Sequence, residues 1–128
     1  MKTISQERAA SAFAQVAAAH QALRGDFEQD YADKAKKVPM RIRTAGLAQT
    51  LAYLQAKKES AEVCASLAAW CHARKLSSGP RPEDLLKQAI SSDASTLRLL
   101  TSECLAYLEW LVRFADARKK APAAEKAS

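Results

Sequence analysis

Residues 36–54, KKVPMRIRTAGLAQTLAYL, carry two apolar stripes that do not line up, with a glycine between them. At about 100° per residue, Val38, Ile42 and Ala45 share one helical face, while Leu47, Leu51 and Leu54 share another at least about 120° away. One straight helix cannot bury both, so the chain has to turn at Gly46 and restart as a helix running to about Lys58. Pro39 suits the first turn of a helix and pushes the residue before it out of α geometry, which predicts a boundary or kink near Val38.

Helical periodicity continues on both sides of this break. Upstream, Thr3 and Gln6 have capping-box spacing, and Phe13, Val16, Ala17, His20 and Leu23 advance in steps of three and four. A helix over 4–24 follows, ended by Gly25. A second starts near Phe27, with Glu28, Asp30 and Asp33 in its opening turns and Lys34, Lys36 and Lys37 later, the polarity that the helix dipole favours. Downstream, Ser60 is placed to cap a helix carrying Val63, Leu67 and Trp70, with Cys64 and Cys71 beside them, out to Arg74. LSSGPRP, residues 76–82, is the clearest loop, and Pro82, Glu83 and Asp84 begin a short helix bearing Leu85, Leu86 and Ile90. Asp93 caps a final helix over 94–119, apolar on most sides apart from a narrow stripe of Arg98, Ser102, Glu109, Arg113 and Asp116; such a helix belongs at the centre. The reading is all-α: a compact single-domain helical bundle of five to six helices over 1–120, with 121–128 as a disordered tail.

The chemistry on offer is sparse. No run approaches the roughly 18 apolar residues of a membrane span, and the start of the chain has no basic-then-apolar export pattern, so the expectation is a cytoplasmic protein with no membrane partner. Cys64, Cys71 and Cys104 form an odd set without a close pair, which fits reduced core residues. Cys64 and Cys71 lie about 10.5 Å apart along a helix axis, too far to share one zinc. DFEQD, 26–30, opens like a calcium loop, but Tyr31 stands where glycine is required and Lys37 where a bidentate glutamate is required. His20 and His72 read as core or surface residues, and glycine-rich phosphate cradles, nucleophile elbows and HExxH or CxxC spacings are missing. A non-enzyme without cofactor, metal or catalytic residue is expected.

Charge is where the sequence speaks. The chain has 20 basic and 14 acidic residues. Residues 34–58 hold Lys34, Lys36, Lys37, Arg41, Arg43, Lys57 and Lys58 without an acid, which leaves 13 basic against 14 acidic residues elsewhere. The whole positive excess belongs to that segment, as expected where a polyanion supplies the counter-charge. Lys and Arg release counterions from a phosphate backbone, and Arg adds bidentate hydrogen bonds, so binding here is expected to be sequence-tolerant. Tyr31 and Tyr53 are the nearest aromatics and read as partly buried packing residues. The alternative is a helical DNA-binding or regulatory module with a helix-turn-helix around Gly46. Its recognition helix would offer a groove only Gln49, Thr50 and Gln55, with the charge on the other helix. A pure protein-interaction subunit is the third class.

Two stretches also carry a resemblance. VPMRIRTAGLAQTLAYLQAK, residues 38–57, and TLRLLTSECLAYLEWLVRFADA, residues 96–117, resemble the two signature blocks of the small-subunit family of type III-B CRISPR RAMP-module (Cmr) effector complexes. The first block is carried by Val38-Pro39, Ile42-Arg43, Gly46-Leu47 and Leu51-Ala52-Tyr53, and the second by Thr101, Glu103, Leu105, Leu108 and the run Trp110 to Ala115. Val112 and Ala45 depart from the family pattern, which often has lysine and a polar residue there. The resemblance implies an all-helical protein without nuclease activity. Several copies would stack along backbone RAMP subunits, beside a large subunit, and line the groove where guide RNA pairs with target RNA. Joined to the charge segment, it makes Lys36, Lys37, Arg41, Arg43, Lys57, Lys58 and Arg113 the candidate RNA-binding residues.

Overall fold

The computed structural model of the chain describes residues 1–119, so the expected tail 121–128 lies outside the described residues. Six α-helices are present among them: α1 (Ile4–Leu23), α2 (Asp33–Ala45), α3 (Leu47–Ala56), α4 (Ala61–Ala73), α5 (Pro82–Ser91) and α6 (Ala94–Arg118). Short 3-10 turns lie at Arg24–Asp26 and Lys58–Ser60, and a wide π-helical turn, Glu28–Ala32, leads into α2. As expected of a helix apolar on most sides, α6 packs against α1, α2 and α4; α3 rests on α2, α4 and α5. Leu100, Cys104, Tyr107, Leu108, Leu111 and Ala115 of α6 are all buried.

Gly46 makes the break that the two stripes require. Its φ of 88° and ψ of 162° lie where side-chain-bearing residues are strained, and α2 and α3 meet there with no intervening loop. Both helix ends hydrogen-bond through this one residue. The Gly46 N–H donates to Ile42 O at 2.8 Å, while Gly46 O accepts from Thr50 N–H at 3.1 Å and from the Thr50 hydroxyl at 2.8 Å. Val38 and Ile42 are buried on one side of the turn, and Leu47, Leu51 and Leu54 on the other.

α1, α4 and α6 are joined by a polar cluster at the edge of the core. Arg8 grips Glu103 in a fork, Nε to Oε2 at 2.6 Å and Nη2 to Oε1 at 2.9 Å, and Trp70 Nε1–H donates to the same carboxylate at 2.9 Å. The Arg8 bonds, followed by that of Trp70, hold the Glu103 carboxyl below the usual range against the opposing effect of burial. Trp70 in turn stacks on Tyr107 with centroids 5.2 Å apart, and the Tyr107 hydroxyl meets Ser11 of α1 at 3.1 Å.

Several local expectations are corrected. α2 runs unbroken through Pro39, because the buried Ala35, Val38 and Ile42 hold it in register despite the missing N–H. α1 ends one residue early, with Arg24 rather than Gly25 at positive φ (48°). Ile90 is exposed, and Ala89 takes its place in the core beside Leu85. Phe13 is also exposed, edge-on to Phe114 at 5.5 Å. The Thr3 capping box and the Asp93 cap, whose side chain accepts from Thr96 N–H, form as read. Folding brings Cys71 and Cys104 to 3.7 Å between sulfurs, a pair that their separation in sequence hides. Burial pushes the Cys64 thiol up to about 11; the bond with Cys71, then burial, pushes Cys104 up too. All three cysteines are free and buried in the core, as expected.

Two outcomes are expected. Nothing lies within 4 Å of a Cβ added at residue 46, so Gly46→Ala carries torsional strain alone and lowers stability by about 1–3 kcal/mol in urea unfolding; an unchanged midpoint would contradict the turn. Glu103→Gln costs about 1.5–3 kcal/mol at neutral pH. The native carboxyl titrates below its ordinary 4.5, so its contribution is complete above that value and disappears as pH falls through the depressed one. The gap between wild type and variant therefore closes in acid, and a pH-independent gap would contradict the charged network.

Candidate nucleic-acid interface

The Gly46 turn folds α3 back on α2, and its arithmetic decides which residues meet. Val38 and Leu54 each lie eight residues from the glycine, about 12 Å along their helices at 1.5 Å per residue. Arg41 and Tyr53 lie five and seven residues away, and Lys37 and Lys57 nine and eleven. These positions line one surface cleft of about 350 Å³, with Lys34, Gln29 from the π-helical turn, and Glu59 and Ser60 from the turn after α3. Val38 and Leu54 are its buried apolar base. Among the described residues, four basic groups and one acid give the cleft a formal charge of +3.

Tyr53 is the centre of this arrangement. It is 41% exposed, and the Arg41 guanidinium carbon lies 3.9 Å from its ring centroid, with Lys57 Nζ at 5.5 Å. An Arg over a tyrosine face at an exposed site contributes about 0.5–1 kcal/mol, enough to bias the guanidinium towards the ring without locking it there. Tyr31 behaves differently: it is fully buried, and its hydroxyl is bonded to Ser66 at 2.8 Å. The expectation of partly buried packing residues is thus wrong for Tyr53, which faces the cleft.

The candidate residues separate into groups. Lys37, Arg41 and Lys57 come together in the cleft, joined by Lys34, which the sequence reading counts in the charge but leaves out of the site. Lys34, Lys37 and Arg41 follow i, i+3, i+7 spacing, a signal of one shared helix face that is available in the sequence. Lys36 and Arg43 lie roughly 140° and 160° around α2 from Arg41, on the far side. Lys36 is turned towards α6, where its Nζ pairs with Asp116 at 3.1 Å. That bond, followed by one from Lys119, holds the Asp116 carboxyl below its usual range. Arg43 is exposed, as is Lys58 in the turn after Lys57, and Arg113 is exposed on α6; none of the three is among the cleft-lining residues.

The helix-turn-helix alternative loses its reading surface. Thr50 is buried and bonded to Gly46 O, and Gln55 Nε2 donates to Pro82 O at 2.8 Å, so only Gln49 of the three groove-facing side chains is exposed.

A family model described as CRISPR-associated protein (Cas_Cmr5) matches residues 4–118. The chain belongs to the Cmr5 family. The CRISPR system Cmr subunit Cmr5 of Thermus thermophilus is 34% identical over 122 residues, covering 91% of this chain and 96% of that protein. The crystal structure of a CRISPR-associated Cmr5 family protein from the same organism superposes with a TM-score of 0.75 at 30% identity, covering 91% of this chain and 97% of that one. Membership extends over all six helices, so the cleft lies within the family's shared region.

Replacing Lys36 by Met should raise the Asp116 pKa towards the ordinary aspartate value in an NMR titration, with little change in stability because the pair is surface-exposed. An unmoved Asp116 titration would show that Lys36 is not held against α6.

Proposed function

We propose that this Cmr5-family chain is a non-catalytic structural subunit of a type III-B CRISPR (Cmr) effector complex. It stacks with further copies of itself along the backbone RAMP subunits, near the large subunit, in the cytoplasm. Its α2–α3 cleft faces the groove in which guide RNA and target RNA pair. The observation that carries the RNA-facing part is the convergence of Lys34, Lys37, Arg41 and Lys57 around Tyr53 on one face, with buried apolar residues beneath them. Such a surface holds phosphates by charge and bidentate hydrogen bonding and reads no bases. Lys58 follows Lys57 at the edge of this face, and Arg43 and Arg113 extend positive charge to other sides of the subunit.

The non-catalytic reading rests on the state of the polar groups. The Cys64 and Cys104 thiols are pushed towards their neutral form, and the ionised Glu103 is committed to Arg8 and Trp70. Among the described residues no group of three His, Cys, Asp or Glu side chains could hold a metal, and no helix is long and apolar enough to cross a membrane.

Replacing Lys37 and Arg41 together by Glu in the assembled complex should weaken target-RNA capture and flatten its log–log salt dependence by roughly 0.7–0.9 per lost phosphate contact. Lys36→Glu should leave the slope close to wild type. Equal slopes for the cleft variant and the wild type would overturn the assignment, whereas normal RNA capture with failed assembly would favour a protein-interaction surface.

A further inference from the structure

Resting on the RNA-facing reading above, we infer that the cleft takes one unpaired nucleotide, its base stacked on Tyr53 in place of the Arg41 guanidinium and its phosphate held by Lys34, Lys37 and Lys57. A purely electrostatic track needs no aromatic ring, yet Tyr53 stands in the wall of the cleft with 41% of its surface open. The planar guanidinium at 3.9 Å shows that this ring accepts a flat group at stacking distance. A nucleobase is a larger flat group, and base–tyrosine stacking is stronger than an exposed cation–π contact. The displaced Arg41 then becomes available for bidentate pairing with the incoming phosphate, which Lys cannot provide.

Size and topology narrow the ligand. About 350 Å³ lies near the lower end of the roughly 300–1,000 Å³ range of small-ligand pockets and suits a single nucleotide, not a duplex. Base faces within a paired A-form helix are already stacked on their neighbours, so only an unpaired or splayed nucleotide can present one to Tyr53. Glu59 is the one acid lining the cleft among the described residues and keeps the phosphate towards the lysines of α2, while Gln29 and Ser60 offer hydrogen bonds that any base edge can use. The site therefore prefers a strand state over a sequence.

The test measures binding of two single strands to the full chain at low salt: decameric oligoriboadenylate and an abasic ribose-phosphate decamer of the same charge. The abasic strand is expected to bind roughly five- to a hundredfold more weakly. Tyr53→Leu should erase the difference between the two strands, and Tyr53→Phe, which keeps the ring, should retain it. Lys37→Glu should weaken both strands. Equal binding of the two strands by the wild-type protein overturns base stacking while leaving the phosphate surface intact. Binding of neither strand overturns both readings. Because the decisive comparison uses the unmodified protein, it does not depend on how well the Tyr53 variants fold.

Discussion

The structure depends on a single backbone conformation, the positive φ of Gly46 between two helices that share no loop. With that turn, Val38 and Ile42 before the glycine and Leu47, Leu51 and Leu54 after it all enter the core, and side chains from both helices are brought to one cleft. Val38 faces Leu54 in the apolar base of the cleft, Arg41 covers Tyr53, and Lys37 and Lys57 line the rim. Without it, the same residues would be spread along one rod, and the charge would remain a solvated face with no shape. The hydroxyl of Thr50 bonded to Gly46 O ties the start of α3 to the turn, so the residue that a DNA-reading helix would have exposed is instead part of the hinge chemistry.

The rest of the bundle supplies rigidity to that hairpin. α6 is the common partner of α1, α2 and α4, and the Arg8–Glu103–Trp70 cluster fixes α1, α4 and α6 to one another at the margin of the apolar core. Lys36 adds an exposed tie from α2 to Asp116 of α6.

Much of this is legible from the residues. The phase change across Gly46, the Thr3 and Asp93 caps, the central character of α6 and the location of the charge excess all follow from spacing and local chemistry, and the two signature blocks point to the family that the full-length match establishes. What sequence reasoning misses depends on packing that a one-dimensional pattern does not contain. Pro39 is tolerated within α2 because tertiary burial on both sides outweighs one lost hydrogen bond, whereas local rules assign it a boundary. Tyr53 and Tyr31 look alike in sequence; only the fold places one against Ser66 in the core and the other in an open cleft. The spacing that sets Lys34 beside Lys37 and Arg41 in the cleft is visible in the sequence, whereas the pairing of Lys36 with Asp116, far along the chain on α6, is not.

The central claim is that one face of the α2–α3 hairpin, and not the basic segment as a whole, meets RNA. The most direct measurement is lysine acetylation footprinting of the assembled effector complex with and without bound target RNA, read by peptide mass spectrometry. The expected result is joint loss of reactivity at Lys34, Lys37 and Lys57 when target binds, with Lys36 unchanged. Undiminished reactivity at all three cleft lysines would contradict the account.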